Sequence, residues 1–293
     1  MTRRVFLAAS SASLVLSAPP ASEIIIDIHQ HTNYSGRSDE ELVKHQREMG
    51  VSRTVLLPAG SKYGLAADAG GNDSVVKLAR EHPMEFVYFA NELPDIPETR
   101  SVLQKYLKSG AIGIGEQKFP VEADSKSIDS IADIAQEFGV PVLLHFEHGH
   151  YNLGFERFHK VVERHPRVKF IGHAQTWWAN IDKSPEATDM YPKGKVAAGG
   201  ITDRLLTDYS NVFGDLSAGS GLNSMLRDED HARGFLDRHQ DKLLFGSDCN
   251  DRQANGDKCL GGKIIVAIRR LAPNESAKQK IFSRNASQLL KMG

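Results

Sequence analysis

Ile24-Ile25-Ile26-Asp27-Ile28-His29-Gln30-His31 is the stretch on which the fold turns. Its β-branched run predicts a strand, and the residues that end the strand separate two architectures. A doubly wound dinucleotide-binding sheet leaves its first strand through Gly-x-Gly; this one leaves through His-Gln-His. Alternate strand residues point the same way, so His29 and His31 are expected to share a face with Asp27.

Seven more short runs rich in β-branched or apolar residues follow, at 54–57, 86–89, 111–116, 141–146, 168–172, 211–216 and 242–247. Segments with helical spacing lie between them. Ser38-Asp39-Glu40-Glu41 reads as a capping box opening a helix that stops at Gly50. Others are predicted at 73–81, 98–108, 128–138, 155–164, 202–209, 228–238 and 262–271, with a last one from 274 to about 290. His82-Pro83 and His165-Pro166 close two of them, because proline blocks continuation and an imidazolium suits the C-terminal dipole. Strands alternating with helices imply parallel pairing and right-handed crossovers. Eight such units predict an α/β fold, a closed (β/α)8 TIM barrel forming a single domain over 23–293.

Composition bounds the function. The 293 residues are 40% hydrophobic and 25% charged, an ordinary globular balance that disfavours disorder and coiled coil. A net charge of -1 without long like-charged runs argues against a sequence-blind nucleic-acid binder, and no nucleic-acid partner is expected. No stretch is apolar and long enough to insert stably in a membrane as a helix. Residues 1–22 combine Arg3-Arg4-Val5-Phe6-Leu7 with a mild apolar run and small residues near Ala21, the layout of a signal peptide. The paired arginines before Phe-Leu resemble the twin-arginine export signal, although Ala8 stands where that signal often carries lysine. A disordered basic tail is the plainer alternative. Export, to the periplasm or the extracellular space, is the expectation, with the export machinery as a transient partner.

In a barrel of this kind the active site lies where strands reach their C-terminal ends. The first end offers His29 and His31. The fourth offers Gly115-Glu116-Gln117-Lys118, with Glu116 and Lys118 on one face. The fifth ends at His145, the sixth at His173 and the eighth at Asp248. Each alone has an ordinary reading: a core histidine, a salt-bridged loop, an aspartate capping a turn. Together they predict a divalent metal centre, and imidazole with carboxylate suits Zn²⁺ or a similar first-row cation better than Ca²⁺ or Mg²⁺.

With those residues in place, the chain resembles the amidohydrolase superfamily, specifically its amidohydrolase-related metal-dependent hydrolases, over essentially all of 23–293. The resemblance implies that His29 and His31 bind the deeper metal with Asp248, and that His145 and His173 bind a second. Glu116 would bridge them, as in the similar Gly-Glu motif of TatD-type hydrolases, unless Lys118 does so as a carbamate. A mononuclear site is the alternative, with His173 then serving the substrate or the water. Asp248, beside that water, would move its proton. The implied chemistry is hydrolysis of a small amide, ester, lactone or phosphoester. Metal-dependent decarboxylation on the same ligands is the runner-up; it needs a cation for the substrate carboxylate, and Arg252 or Lys258 is available. A TatD-type deoxyribonuclease is disfavoured, since Gly-Glu-x-Gly-Leu-Asp is absent. A non-catalytic exported binding protein would require decayed ligands.

Several other residues are weaker candidates. Lys118, His148, Trp177 and Asp215 are possible substrate contacts, and Glu147, His150 and Ser217 lie nearby. Glu147, His148 and His150 also fit a solvated loop. Trp177 and Trp178 wall a pocket or pack in the long Pro- and Gly-containing loop at 175–200. Asp27 is expected to be structural. Cys249 and Cys259 are the only cysteines, and a disulfide bracing the loop after strand eight is expected in preference to metal binding. Substrate, metal number and oligomeric state stay open.

Overall fold

The computed structural model describes residues 23–60, 68–254 and 259–292; the predicted signal peptide and Lys258 lie outside these. All eight strands form: β1 (Ile26–Gln30), β2 (Arg53–Leu56), β3 (Phe86–Tyr88), β4 (Ile114–Gln117), β5 (Val142–His145), β6 (Phe170–His173), β7 (Val212–Asp215) and β8 (Leu243–Leu244). Every ladder is parallel. They run as β1–β3 and β4–β8, and a parallel bridge between Ala90 and Ile114 joins the two groups. At the other seam Ile28 N–H donates to Phe245 O (3.1 Å) and Asp248 N–H to His29 O (2.9 Å), so the ring closes.

Between and after the strands run α1 (Asp39–Glu48), α2 (Asn72–Glu81), α3 (Thr99–Lys108), α4 (Lys126–Phe138), α5 (His159–Arg164), α6 (Gln175–Ala179) and α7 (Ile201–Asp208). Then come α8 (Ala218–Leu226), α9 (Glu229–His239), α10 (Leu260–Leu271), α11 (Glu275–Gln279) and α12 (Asn285–Leu290). The Ser38 capping box forms as expected, with Glu41 N–H donating to the Ser38 hydroxyl and Glu41 accepting from Ser38 N–H. The segment at 155–164 opens with a 3₁₀ turn before α5, and the last helix passes through a π turn at Lys280–Arg284. Helices α6 and α8 were not expected. No helix among the described residues is long and apolar enough to cross a membrane.

Period-two alternation places the site. In β5, Val142 and Leu144 face the helices while Leu143 joins the barrel interior with Ile171 and Leu244. His145 therefore points inward above Leu143, and His173 stands opposite it in register. Gly246 keeps the β8 end narrow: a Cβ there would lie 2.4 Å from Asp215 Oδ1 and 2.9 Å from His29 Cβ. Gly115 is similarly constrained, with φ of 141° and the Leu143 carbonyl 2.8 Å from where a Cβ would sit.

Candidate metal centre

The predicted ligands meet at the C-terminal mouth. His29 Nε2 and His31 Nε2 lie 3.2 Å apart. Glu116 Oε2 is 3.7 Å from the first and 3.6 Å from the second, and Asp248 Oδ1 is 3.8 and 3.6 Å from them. On the far side of Glu116, its Oε1 is 2.5 Å from His145 Nδ1 and 3.7 Å from His173 Nε2. His173 Nε2 is also 3.7 Å from Asp248 Oδ2. Glu116 thus stands between two half-sites, one with His29, His31 and Asp248, the other with His145 and His173.

Hydrogen bonding on the opposite ring nitrogens fixes what these atoms present. His31 Nδ1 is 2.7 Å from Leu57 O, which only accepts, so Nδ1 carries the proton. His29 Nδ1 is 2.7 Å from Asp215 Oδ2 and donates to it. The hydroxyl of Ser217 donates to Asp215 and accepts from His173 Nδ1 at 2.9 Å. In neutral rings, therefore, all three Nε2 atoms turn lone pairs toward the same space. Two lone pairs 3.2 Å apart, flanked by two carboxylates, repel unless a positive charge sits among them. His173 Nε2 and Asp248 Oδ1 are buried with no hydrogen-bond partner, a cost that a bound cation removes.

Electrostatics gives the same answer. Burial alone would depress His29, but the Asp248 and Asp215 carboxylates hold its pKa well above the ordinary value, so the site draws a proton where no cation is present. Burial would raise Glu116, yet His145, His29 and Lys118 hold it well below the usual range. Asp248 is likewise raised by burial but brought down by His29, His31 and His173 to about 2. Burial, then the proximity of His29, lowers His173 and keeps it neutral. The donor set of imidazoles and ionised carboxylates fits a first-row divalent cation.

Several expectations need correcting. Asp215 does not face substrate: it is fully buried and anchors His29 and His173 from behind, its pKa held far below normal by those imidazoles against the effect of burial. Trp177 is not a pocket wall but core, stacked on Phe146 at 6.0 Å and lying against Gly172, where a Cβ would be 2.1 Å from its ring. Trp178 donates to Asp215 O at 2.9 Å and braces the same strand end. Asp27 does not share the mouth with His29 and His31, because the β1 register shifts between Asp27 and Gln30; its carboxylate instead accepts from Ser247 and Gln46. The Cys249–Cys259 disulfide is not formed. Arg252 is engaged with Glu41 and Gly36 O and is exposed.

Lys118 lies half-buried over the Tyr151 ring, 5.5 Å from its centroid, while the Glu116 carboxylate is the group inside the cluster. Glu147, expected as a solvated residue, accepts from His145 Nε2 at 3.1 Å. His148 is exposed and lines a cleft of about 290 Å³ beside the mouth with Glu147, Asn152, Thr176 and Met190. Tyr34 escaped the sequence reading: its ring meets His31 edge-on at 4.9 Å. Burial first, then the neighbouring Asp248 carboxylate that its hydroxyl contacts, raise its pKa far above normal, so it stays a donor. Only its position three residues past His31 could have flagged it.

No sequence-family profile matches the chain, and neither does any curated protein sequence. Solved structures share the fold. An uncharacterised TIM-barrel protein from Bordetella bronchiseptica superposes with a TM-score of 0.65 at 14% identity, covering 92% of this chain and 98% of that one. A 2,6-dihydroxybenzoate decarboxylase from Rhizobium gives 0.58 at 14% identity, covering 92% and 99%. An amidohydrolase from Burkholderia multivorans with bound zinc gives 0.59 at 13% identity, covering 93% and 100%.

Proposed function

We propose that this barrel is a metal-dependent hydrolase of the amidohydrolase type, acting on a small molecule through one or two divalent cations, Zn²⁺ foremost. The observation that carries the reading is the convergence of three imidazole Nε2 atoms and two carboxylates on one buried space, with each Nδ1 already committed elsewhere. His29, His31 and Asp248 would hold the deeper ion, His145 and His173 a second, and Glu116 would bridge. A divalent cation bound there lowers the pKa of a ligand water to about 7 and polarises the bond under attack. Asp248 Oδ1, without a hydrogen-bond partner, is placed to accept the proton of the attacking water and deliver it to the leaving group. Tyr34 orients that carboxylate; with a single ion bound, His173 Nε2 would instead serve the substrate or the water as an acceptor from the opposite side. Substrate would enter by the cleft lined by Glu147 and His148.

Elemental analysis of the purified chain, followed by assays on esters, lactones, amides and phosphoesters, tests this. Metal-dependent hydrolysis supports it; a chain that takes up neither Zn²⁺ nor Mn²⁺ overturns it. Carbon dioxide release from aromatic carboxylates without hydrolysis would shift the assignment to decarboxylation. We propose also that residues 1–22 direct export: replacing Arg3 and Arg4 by lysine should retain the protein in the cytoplasm, and unchanged fractionation would refute this.

A further inference from the structure

A second cluster of metal-binding side chains lies behind the mouth, on the outer side of the β8 end. His45 of α1, Cys249 after β8 and Cys259 at the start of α10 each bring one donor atom to within 4.8 Å of the others, and all three residues are buried. His45 Nε2 is 3.6 Å from Cys249 Sγ. Asp251 Oδ2 is 3.0 Å from the same sulfur. Tetrahedral bonds of about 2.3 Å to sulfur and about 2.0 Å to nitrogen place two donors roughly 3.5 Å apart, so the His45–Cys249 separation already fits.

The surroundings prepare these donors. Gln46 Nε2 donates to Asp27 and Thr54, which turns its amide oxygen toward His45 Nδ1 at 3.2 Å. His45 Nδ1 then carries the proton and Nε2 turns its lone pair to Cys249, the usual arrangement of a ligating histidine held from behind. Gly262 N–H donates to Cys259 Sγ at 3.2 Å at the N-terminus of α10, which favours a thiolate. Arg37, 1% exposed, ties the same loop down from beneath, donating to Cys249 O at 2.8 Å and to Asp251 O at 3.0 Å, with the Asp27 and Asp251 carboxylates nearby to balance its charge.

We propose that His45, Cys249 and Cys259 form a structural site for a thiophilic divalent cation of the Zn²⁺ type, with Asp251, whose Oδ2 now accepts from Leu260 N–H at 3.1 Å, the nearest side chain to swing in as fourth donor. Binding displaces the two thiol protons to solvent and involves no oxidation. The ion ties α1 and α10 to the residue that directly follows Asp248, and so braces the loop that presents that carboxylate.

Cobalt substitution of the full chain under reducing conditions reads this site without any variant. Co²⁺ held by thiolates gives a sulfur-to-metal charge-transfer absorption, expected in the wild type and retained in His29→Ala/His31→Ala, whose mouth site is disabled. Cys249→Ser/Cys259→Ser should lose that absorption and one equivalent of zinc per chain while keeping the mouth equivalent. Failure of the hydrolase reading would leave the thiolate band in place, so the two proposals fail separately. Absence of the band in the wild type, with both thiols still reacting in saturating Zn²⁺, overturns the proposal, as does a Cys249–Cys259 disulfide found by mass spectrometry in protein purified without reductant.

Discussion

His29 shows how one imidazole is prepared from behind: Asp215, 186 positions away, fixes its Nδ1 and thereby aims its Nε2. Asp215→Asn keeps the shape but replaces an acceptor by a group that can offer N–H to the ring. Metal affinity should fall about 10–100-fold with the fold retained, read by competition with a chromogenic chelator; unchanged affinity would show that the anchor is idle. Tyr34→Phe removes the hydroxyl that neighbours the Asp248 carboxylate; where that hydroxyl donates to the ionised group in the working site, its loss costs about 1.5–3 kcal/mol. The rate should therefore drop roughly 10–100-fold at unchanged metal content, and a wild-type kcat would dismiss Tyr34. These two residues also mark where sequence reading stops. The proposed ligands could be picked out because strand ends order them along the chain, whereas anchoring depends on contacts across the barrel. Trp177 stays open between two readings in the sequence for a related reason: an aromatic beside a ligand fills core as readily as it walls a pocket, and only its fit against Gly172 decides for core.

At the scale of elements, the strands were legible because each is a short β-branched or apolar run bounded by turn residues. Helix α8 was not: Ala218-Gly219-Ser220-Gly221 reads as a loop, and the glycine is needed because Leu216 O lies 2.1 Å from a Gly221 Cβ. The β8 end obeys the same steric logic, and Gly246→Ala should push Asp215 off His29, costing about 1–3 kcal/mol by overpacking in denaturation of the metal-free protein and weakening metal binding as well. No loss in either measurement would mean that the strand end can yield. Asp228 caps α9 and reaches into the long loop. Val196 N–H above all, with Lys195 and His231 N–H, holds its pKa at about 2 in spite of some burial. An unfolded aspartate titrates near 3.9, so this depressed group adds stability in full above about pH 4 and loses it as pH falls toward 2. Asp228→Asn keeps the cap without the charge. The stability gap between wild type and variant should narrow across that window in urea titrations, and a constant gap would exclude the linkage.

For the whole molecule, the proposed ligands come from both ladders of the barrel: β1 supplies His29 and His31, while β4, β5, β6 and the end of β8 supply the rest. The β8–β1 seam, where β8 has only two strand residues, is the one the deeper half-site spans. A cation there would cross-link the ring at its shortest strand, and its removal should be felt globally. A ligand at free concentration about 1,000-fold above its dissociation constant stabilises by about 4.1 kcal/mol. For a domain of this size each kcal/mol is worth roughly 2–4 °C in Tm, so chelation should lower Tm by roughly 10 °C. Because the thiolate cluster would lose its ion to the same chelator, the mouth must be read alone. Mn²⁺ suits carboxylate ligands and is poorly matched to thiolates, so adding it back should restore most of the loss that belongs to the mouth. His29→Ala/His31→Ala should show no such recovery. If Mn²⁺ binds the wild type and Tm does not move, the ion decorates a barrel that holds itself shut, and the ligands serve chemistry alone.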